Sequence, residues 1–113
     1  MKVIDIYLQY FAAECEFAGT LRKGAAVRLT AESDAGTIRY SVSVSFFPHA
    51  DAGDFGISGD AFAERELYSG KGRRSKKREQ TYLAALREHA DAAAQSLGGV
   101  IHWDAPLIEA RYA

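Results

Sequence analysis

Cysteine and proline are scarce in this 113-residue chain, which holds one Cys, two Pro, one Met and one Trp. A lone cysteine excludes an intrachain disulfide framework and any cysteine-rich zinc site. Long apolar runs are missing as well. No stretch approaches the ~20 apolar residues of a membrane-spanning helix, and Met1-Lys2 leads into strand-like alternation with no signal-peptide pattern. Neither sign of charge is in excess, with Lys+Arg 14 against Asp+Glu 15. There is no internal repeat, low-complexity tract or linker. These absences give the expectation of a soluble, cytoplasmic domain spanning residues 1–113, with no membrane contact and no cofactor-binding signature.

The apolar content is 48%, but alanine alone supplies 20 residues, and Val, Ile, Leu, Phe, Met and Trp together number 27. That suffices for one core and not for two. Ile4, Ile6, Leu8 and Tyr10 alternate with Asp5, Tyr7 and Gln9, which predicts a half-buried strand. Over Phe11 to Phe17 the apolar set changes parity, as one bulge would produce; a short helix from Tyr10 to Phe17 is the competing reading. A turn ending at Gly24 precedes a strand through Val27, Leu29 and Ala31, and Glu32 to Gly36 has hairpin-loop chemistry.

The cleanest strand follows. Ile38, Tyr40, Val42, Val44 and Phe46 form one face, and Ser41, Ser43 and Ser45 point to water on the other, until Pro48 stops the ladder. An extended, bulged piece is expected near Asp54 to Ser58, and Asp60 to Tyr68 reads as either strand or short helix. From the N-cap Ser75, the residues Tyr82, Leu83, Leu86, Ala90, Ala93 and Leu97 recur at helical spacing up to Gly98-Gly99. Val100 to Trp103 then reads as a strand, Asp104-Ala105-Pro106 as a turn and Leu107 to Tyr112 as a last extended piece. The expected fold is α+β: a mainly antiparallel sheet of about five strands, with one long helix in the C-terminal half packed on one face.

One local feature carries chemistry. Gly70 to Arg78 holds Lys71, Arg73, Arg74, Lys76, Lys77 and Arg78, six of the fourteen basic residues. The rest of the chain then carries eight positive against fifteen negative charges, a formal −7. Lys76, Lys77 and Arg78 fall in the first helical turn, where the macrodipole disfavours positive charge by ~0.3–1 kcal/mol each. Gly70 and Gly72 permit backbone N–H groups to converge on an anion, and a helix start already suits phosphate. The segment therefore reads as an anion site for a nucleic-acid backbone or an acidic protein surface, unless Glu64, Glu66 or Glu79 neutralises it. It is not a phosphate-binding P-loop, which requires GxxxxGK[ST].

The alternative is a metal-dependent hydrolase or nuclease. His49-Ala50-Asp51 with Asp54, and His102-Trp103-Asp104, repeat an H-x-D spacing that places imidazole and carboxylate on one side of extended chain. The bland reading of both is turn chemistry. Cys15 between Glu14 and Glu16 is expected to keep its proton. His89 reads as a boundary residue, and Trp103, Tyr112 and Phe62 read as core. The serines lack a GxSxG elbow. Tyr7, Phe11 and Phe47 look apolar on an otherwise polar side, which raises the expectation of a homodimer through a sheet edge or face.

Overall fold

The structure, a computed structural model, describes residues 1–48 and 61–107. Its elements run β1 (Lys2–Phe17), β2 (Thr20–Asp34), β3 (Thr37–Phe47), β4 (Phe62–Lys71), α1 (Lys76–Ala84), α2 (Leu86–Gln95) and β5 (Val100–Pro106). The strands form one antiparallel sheet in the order β4-β3-β2-β1-β5. The first four strands are a meander, and the helical segment carries the chain back across one face so that β5 pairs with β1. The fold is α+β. None of the helices among the described residues is long and apolar enough to cross a membrane.

Two tight turns set the long hairpins. Ala18-Gly19 and Ala35-Gly36 all have positive φ, at 54°, 79°, 50° and 84°. Paired left-handed residues make the type I′ turn whose twist matches the flanking strands. The first of these replaces the expected turn ending at Gly24, which instead lies inside β2 opposite Ala12 and Phe47. β1 is one strand, not strand plus helix, and its register slips twice, between Asp5 and Tyr7 and between Ala12 and Cys15. The earlier slip divides the expected Ile4-Ile6-Leu8-Tyr10 face. Ile6 and Tyr7 both pack toward the core, followed by buried Phe11, Ala13 and Cys15, while Leu8 is exposed.

The core lies between the sheet and α2. Ala25, Val27 and Leu29 from β2, Val42, Val44 and Phe46 from β3, and Leu86, Ala90, Ala93 and Ala94 from α2 are all buried in it. Alanine on both surfaces lets helix and sheet approach closely. At Gly99 that closeness is extreme: a Cβ there would overlap Phe46 Cζ and lie 3.1 Å from Cys15 Cβ. A smaller cluster of Ala31, Ile38 and Tyr40 extends the core toward α1, where the Tyr40 and Tyr82 rings sit 5.3 Å apart. Ile38, Tyr40, Val42, Val44 and Phe46 thus form the inner face of β3, as their alternation predicts.

The single long helix is corrected to two. Ala85, at φ −106° and ψ 16°, separates α1 from α2. Leu83, Ala84, Ala85 and Leu86 are all good helix formers, so the break has its origin in tertiary packing and not in propensity. It also turns Leu83 outward, 40% exposed, whereas Leu86 is buried. Asp60–Tyr68 resolves in favour of strand from Phe62 on, with Phe62 itself half-exposed rather than in the core. β5 continues through Asp104-Ala105-Pro106, where the sequence predicts a turn. The extended pieces expected at Asp54–Ser58 and beyond Leu107 lie outside the described residues.

Around Arg39 the outer sheet face is polar. Arg39 is held by Glu66 at 2.8 Å, Glu64 at 3.1 Å and Glu32 at 3.3 Å. Ser41, expected in water, is buried beneath this network; its hydroxyl donates to Glu64 Oε2 at 3.1 Å and shares a hydrogen bond with Thr30 Oγ1 at 3.2 Å. Of the residues that prompted the homodimer expectation, Phe11 and Phe47 are buried within the chain and Tyr7 is half-buried. Phe11 meets the Trp103 ring edge-on at 4.8 Å, and Phe47 lies 6.4 Å from Tyr10.

Candidate anion-binding loop at the start of α1

The loop begins where β4 ends. Lys71 is the last β4 residue and pairs with Thr37. Gly72, at φ 127°, then donates its N–H to Gly36 O at 2.9 Å, which ties the loop to the β2–β3 turn. That N–H is therefore not turned toward an anion, contrary to the expectation for this glycine. Gly70 has a different use too. A Cβ there would lie 2.8 Å from the Tyr68 hydroxyl, so its missing side chain makes room for that ring. The guanidinium of Arg78 sits over the same ring, 3.8 Å from its centroid, a cation–π contact worth ~0.5–1 kcal/mol at an exposed site.

Ser75 caps α1 as its sequence position predicts: its hydroxyl accepts from Arg78 N at 3.2 Å, and its carbonyl accepts from Glu79 N at 3.0 Å. Its own N–H donates to the Tyr40 hydroxyl at 2.8 Å. Tyr40 in turn donates to Glu79 Oε2 at 2.7 Å, and Arg74 grips both oxygens of that carboxylate at 2.9 and 2.8 Å. Glu79 is buried, and the Arg74 hydrogen bonds hold its carboxyl below the usual carboxylate range against the opposing effect of burial. Burial pushes the Tyr40 phenol up. The result is a closed bracket that fixes the loop to the sheet. The sequence marks Glu79 only as one possible neutralising charge. Its spacing of five from Arg74 gives no hint of Tyr40, thirty-nine residues away.

The six predicted cations thus divide. Arg74 is ion-paired and Arg78 stacked, whereas Lys71, Arg73, Lys76 and Lys77 are exposed. Among the described residues no carboxylate forms an ion pair with any of these four. Glu64 and Glu66, the other suspected neutralisers, are engaged by Arg39 on the outer face. Arg73 borders a cleft of about 580 Å³ with Lys2, Ser33, Asp34 and Gly36. Lys77 borders a second, of about 430 Å³, with Ser75, Thr81 and Tyr82.

Of the metal-site alternative, His49, Asp51 and Asp54 lie outside the described residues. His102 and Asp104 sit on β5, and His102 Nε2 is 3.1 Å from Glu14 Oε2 on β1. Among the described residues no cluster of three or more His, Cys, Asp or Glu side chains is placed to hold a metal. Cys15 is buried with its thiol pushed up, chiefly by burial rather than by Glu14 and Glu16, and its Sγ lies 3.5 Å from Leu97 O. No family model, curated protein or solved structure matches the chain.

Proposed function

We propose that the protein is a binding module that engages an anionic chain, foremost a nucleic-acid phosphate backbone, through Lys71, Arg73, Lys76 and Lys77. The observation that carries this reading is the division of the loop's cations. Arg74 is ion-paired to Glu79 and Arg78 is stacked on Tyr68, while the other four are exposed and, among the described residues, form no ion pair with a carboxylate. Solvated surface lysines are common, but here they open a helix, where the dipole already favours an anion. The backbone N–H groups of Lys76 and Lys77 are in the first helical turn and have no intrahelical acceptor. The loop is also pre-organised, so binding need not order it.

Such a site reads charge and not base sequence, since phosphate contacts position a partner without specifying it. The −7 carried by the rest of the chain repels a polyanion beyond the loop, so binding is local and modest. Charge reversal at Arg73, Lys76 and Lys77 tests the proposal. Wild type is expected to be retained on immobilised heparin at low salt and the triple variant to elute in the wash, with unchanged circular dichroism. Equal elution of the two folded proteins refutes it. Capture of acidic proteins but not of nucleic acid from nuclease-treated and untreated extracts reassigns the partner to an acidic protein surface.

A further inference from the structure

A second site forms where two irregularities meet. The break at Ala85 separates α1 from α2, and β5 slips in register against β1 between Phe11 and Ala13. Together they leave a cleft of about 350 Å³ whose lining includes Tyr7, Gln9, Phe11, Leu86, Arg87 and Trp103. This volume lies at the small end of ligand pockets, which run from roughly 300 to 1,000 Å³.

The lining is organised in a chemically specific way. Half-buried Trp103 lines the cleft, backed edge to face at 4.8 Å by buried Phe11 and by buried Leu86. The Trp103 indole N–H donates to Asp91 Oδ1 at 2.9 Å, which fixes the ring. Polar groups gather at the rim. Tyr7 donates to Gln9 Oε1 at 3.1 Å, which orients that amide. Arg87 is exposed, its guanidinium 5.3 Å from the Trp103 ring centroid, and no carboxylate among the described residues forms an ion pair with it. Its charge is near enough to Tyr7 to oppose the upward effect of burial on that phenol.

We infer that this cleft binds a small carboxylate with a flat apolar body, the carboxylate on Arg87 and the body against Trp103. A guanidinium recognises a carboxylate through paired N–H donors, and the indole takes a planar ring by stacking or edge contact. A phosphate would leave that aromatic surface unused. This site is separate from the α1 loop, and its failure leaves the proposal for the loop untouched.

Trp103 is the chain's one tryptophan, so a single indole N–H resonance reports on the cleft. The full-length protein is titrated with 2-naphthoate and, in parallel, with the uncharged 2-naphthylmethanol. The expected result is a saturable shift of the indole resonance with 2-naphthoate, with affinity at least about tenfold above that of the alcohol, equivalent to ~1.4 kcal/mol. Arg87→Gln, at an exposed position, should remove that difference and leave the fold intact. No indole shift with 2-naphthoate overturns the site, and an Arg87→Gln protein that still prefers 2-naphthoate overturns the role given to Arg87.

Discussion

The Tyr40 hydroxyl and the Glu79 carboxylate, 2.7 Å apart, join the middle of the sheet to the first turn of α1. Because Tyr40 also accepts the Ser75 N–H and Arg74 holds both Glu79 oxygens, one buried phenol fixes the cap, the loop and the helix together. Tyr40→Phe leaves a buried carboxylate with one donor fewer and the Ser75 N–H without its acceptor. The expected cost is ~1–3 kcal/mol, measured by urea unfolding. A double-mutant cycle with Glu79→Gln should show coupling of ~0.5–3 kcal/mol; additive effects would mean that the bracket does not act as a unit.

Acid should weaken the same bracket. Glu79 is held below its unfolded value by Arg74, so its folded form binds a proton less readily than its unfolded form. Its contribution is therefore fully present above the unfolded carboxylate range, near 4.3, and is lost as pH falls through the lower folded value. Glu64, lowered by Arg39, acts in the same direction. Stability of wild type should fall below about pH 4.3 more steeply than that of Glu79→Gln, as read from thermal melts across pH 2–7.

Ala18 and Ala35 both sit at positive φ, 54° and 50°, in turns that favour Asn or Gly. An L-residue with a Cβ is disfavoured there by ~1–2 kcal/mol. Replacing each by Asn or Gly should raise stability by a few tenths to about 1 kcal/mol per turn, additively because the two turns are independent. A lowered melting temperature in either single variant would show that the alanine methyl has packing of its own.

Core positions should respond in the opposite sense. Leu86→Ala removes a buried side chain from the α2–sheet layer and should cost ~2–5 kcal/mol. Gly99→Ala forces a methyl against Phe46 and Cys15 and should cost ~1–3 kcal/mol. Leu83→Ala, at the exposed side of the helix break, should stay within about 0.5 kcal/mol. Equal losses at Leu83 and Leu86 would mean that the helix face is wrongly assigned.

Periodicity makes the inner faces legible, and this is why Ile38 to Phe46 and the Leu86-Ala90-Ala93 stripe can be read from the sequence. What it missed were departures from regularity. The bulge near Ile6 moves Tyr7 to the core side although simple alternation puts it opposite, because a one-residue slip exchanges the two faces. The break at Ala85 was invisible, since every residue around it favours helix. Within the loop, clustering exposed the cations but could not sort them. Arg74 differs from Arg73 only through Tyr40 and Glu79, and that contact exists only once β3 and α1 are packed together. Gly70 likewise looked like an anion-binding glycine until Tyr68 was seen to fill the space it leaves.

The most direct test of the anion-binding reading is the salt dependence of affinity for a single-stranded oligonucleotide, followed by fluorescence anisotropy. Four engaged cations should give a slope of log K against log salt near −3, from about −0.7 per phosphate contact on a single strand. Arg73→Gln, Lys76→Gln and Lys77→Gln in combination should weaken binding and flatten the slope to about −0.7, the value left by Lys71 alone. Arg28→Gln, on the outer sheet face, should leave both unchanged. A folded triple variant with the affinity and slope of wild type, or a wild type that does not bind at low salt, contradicts the account.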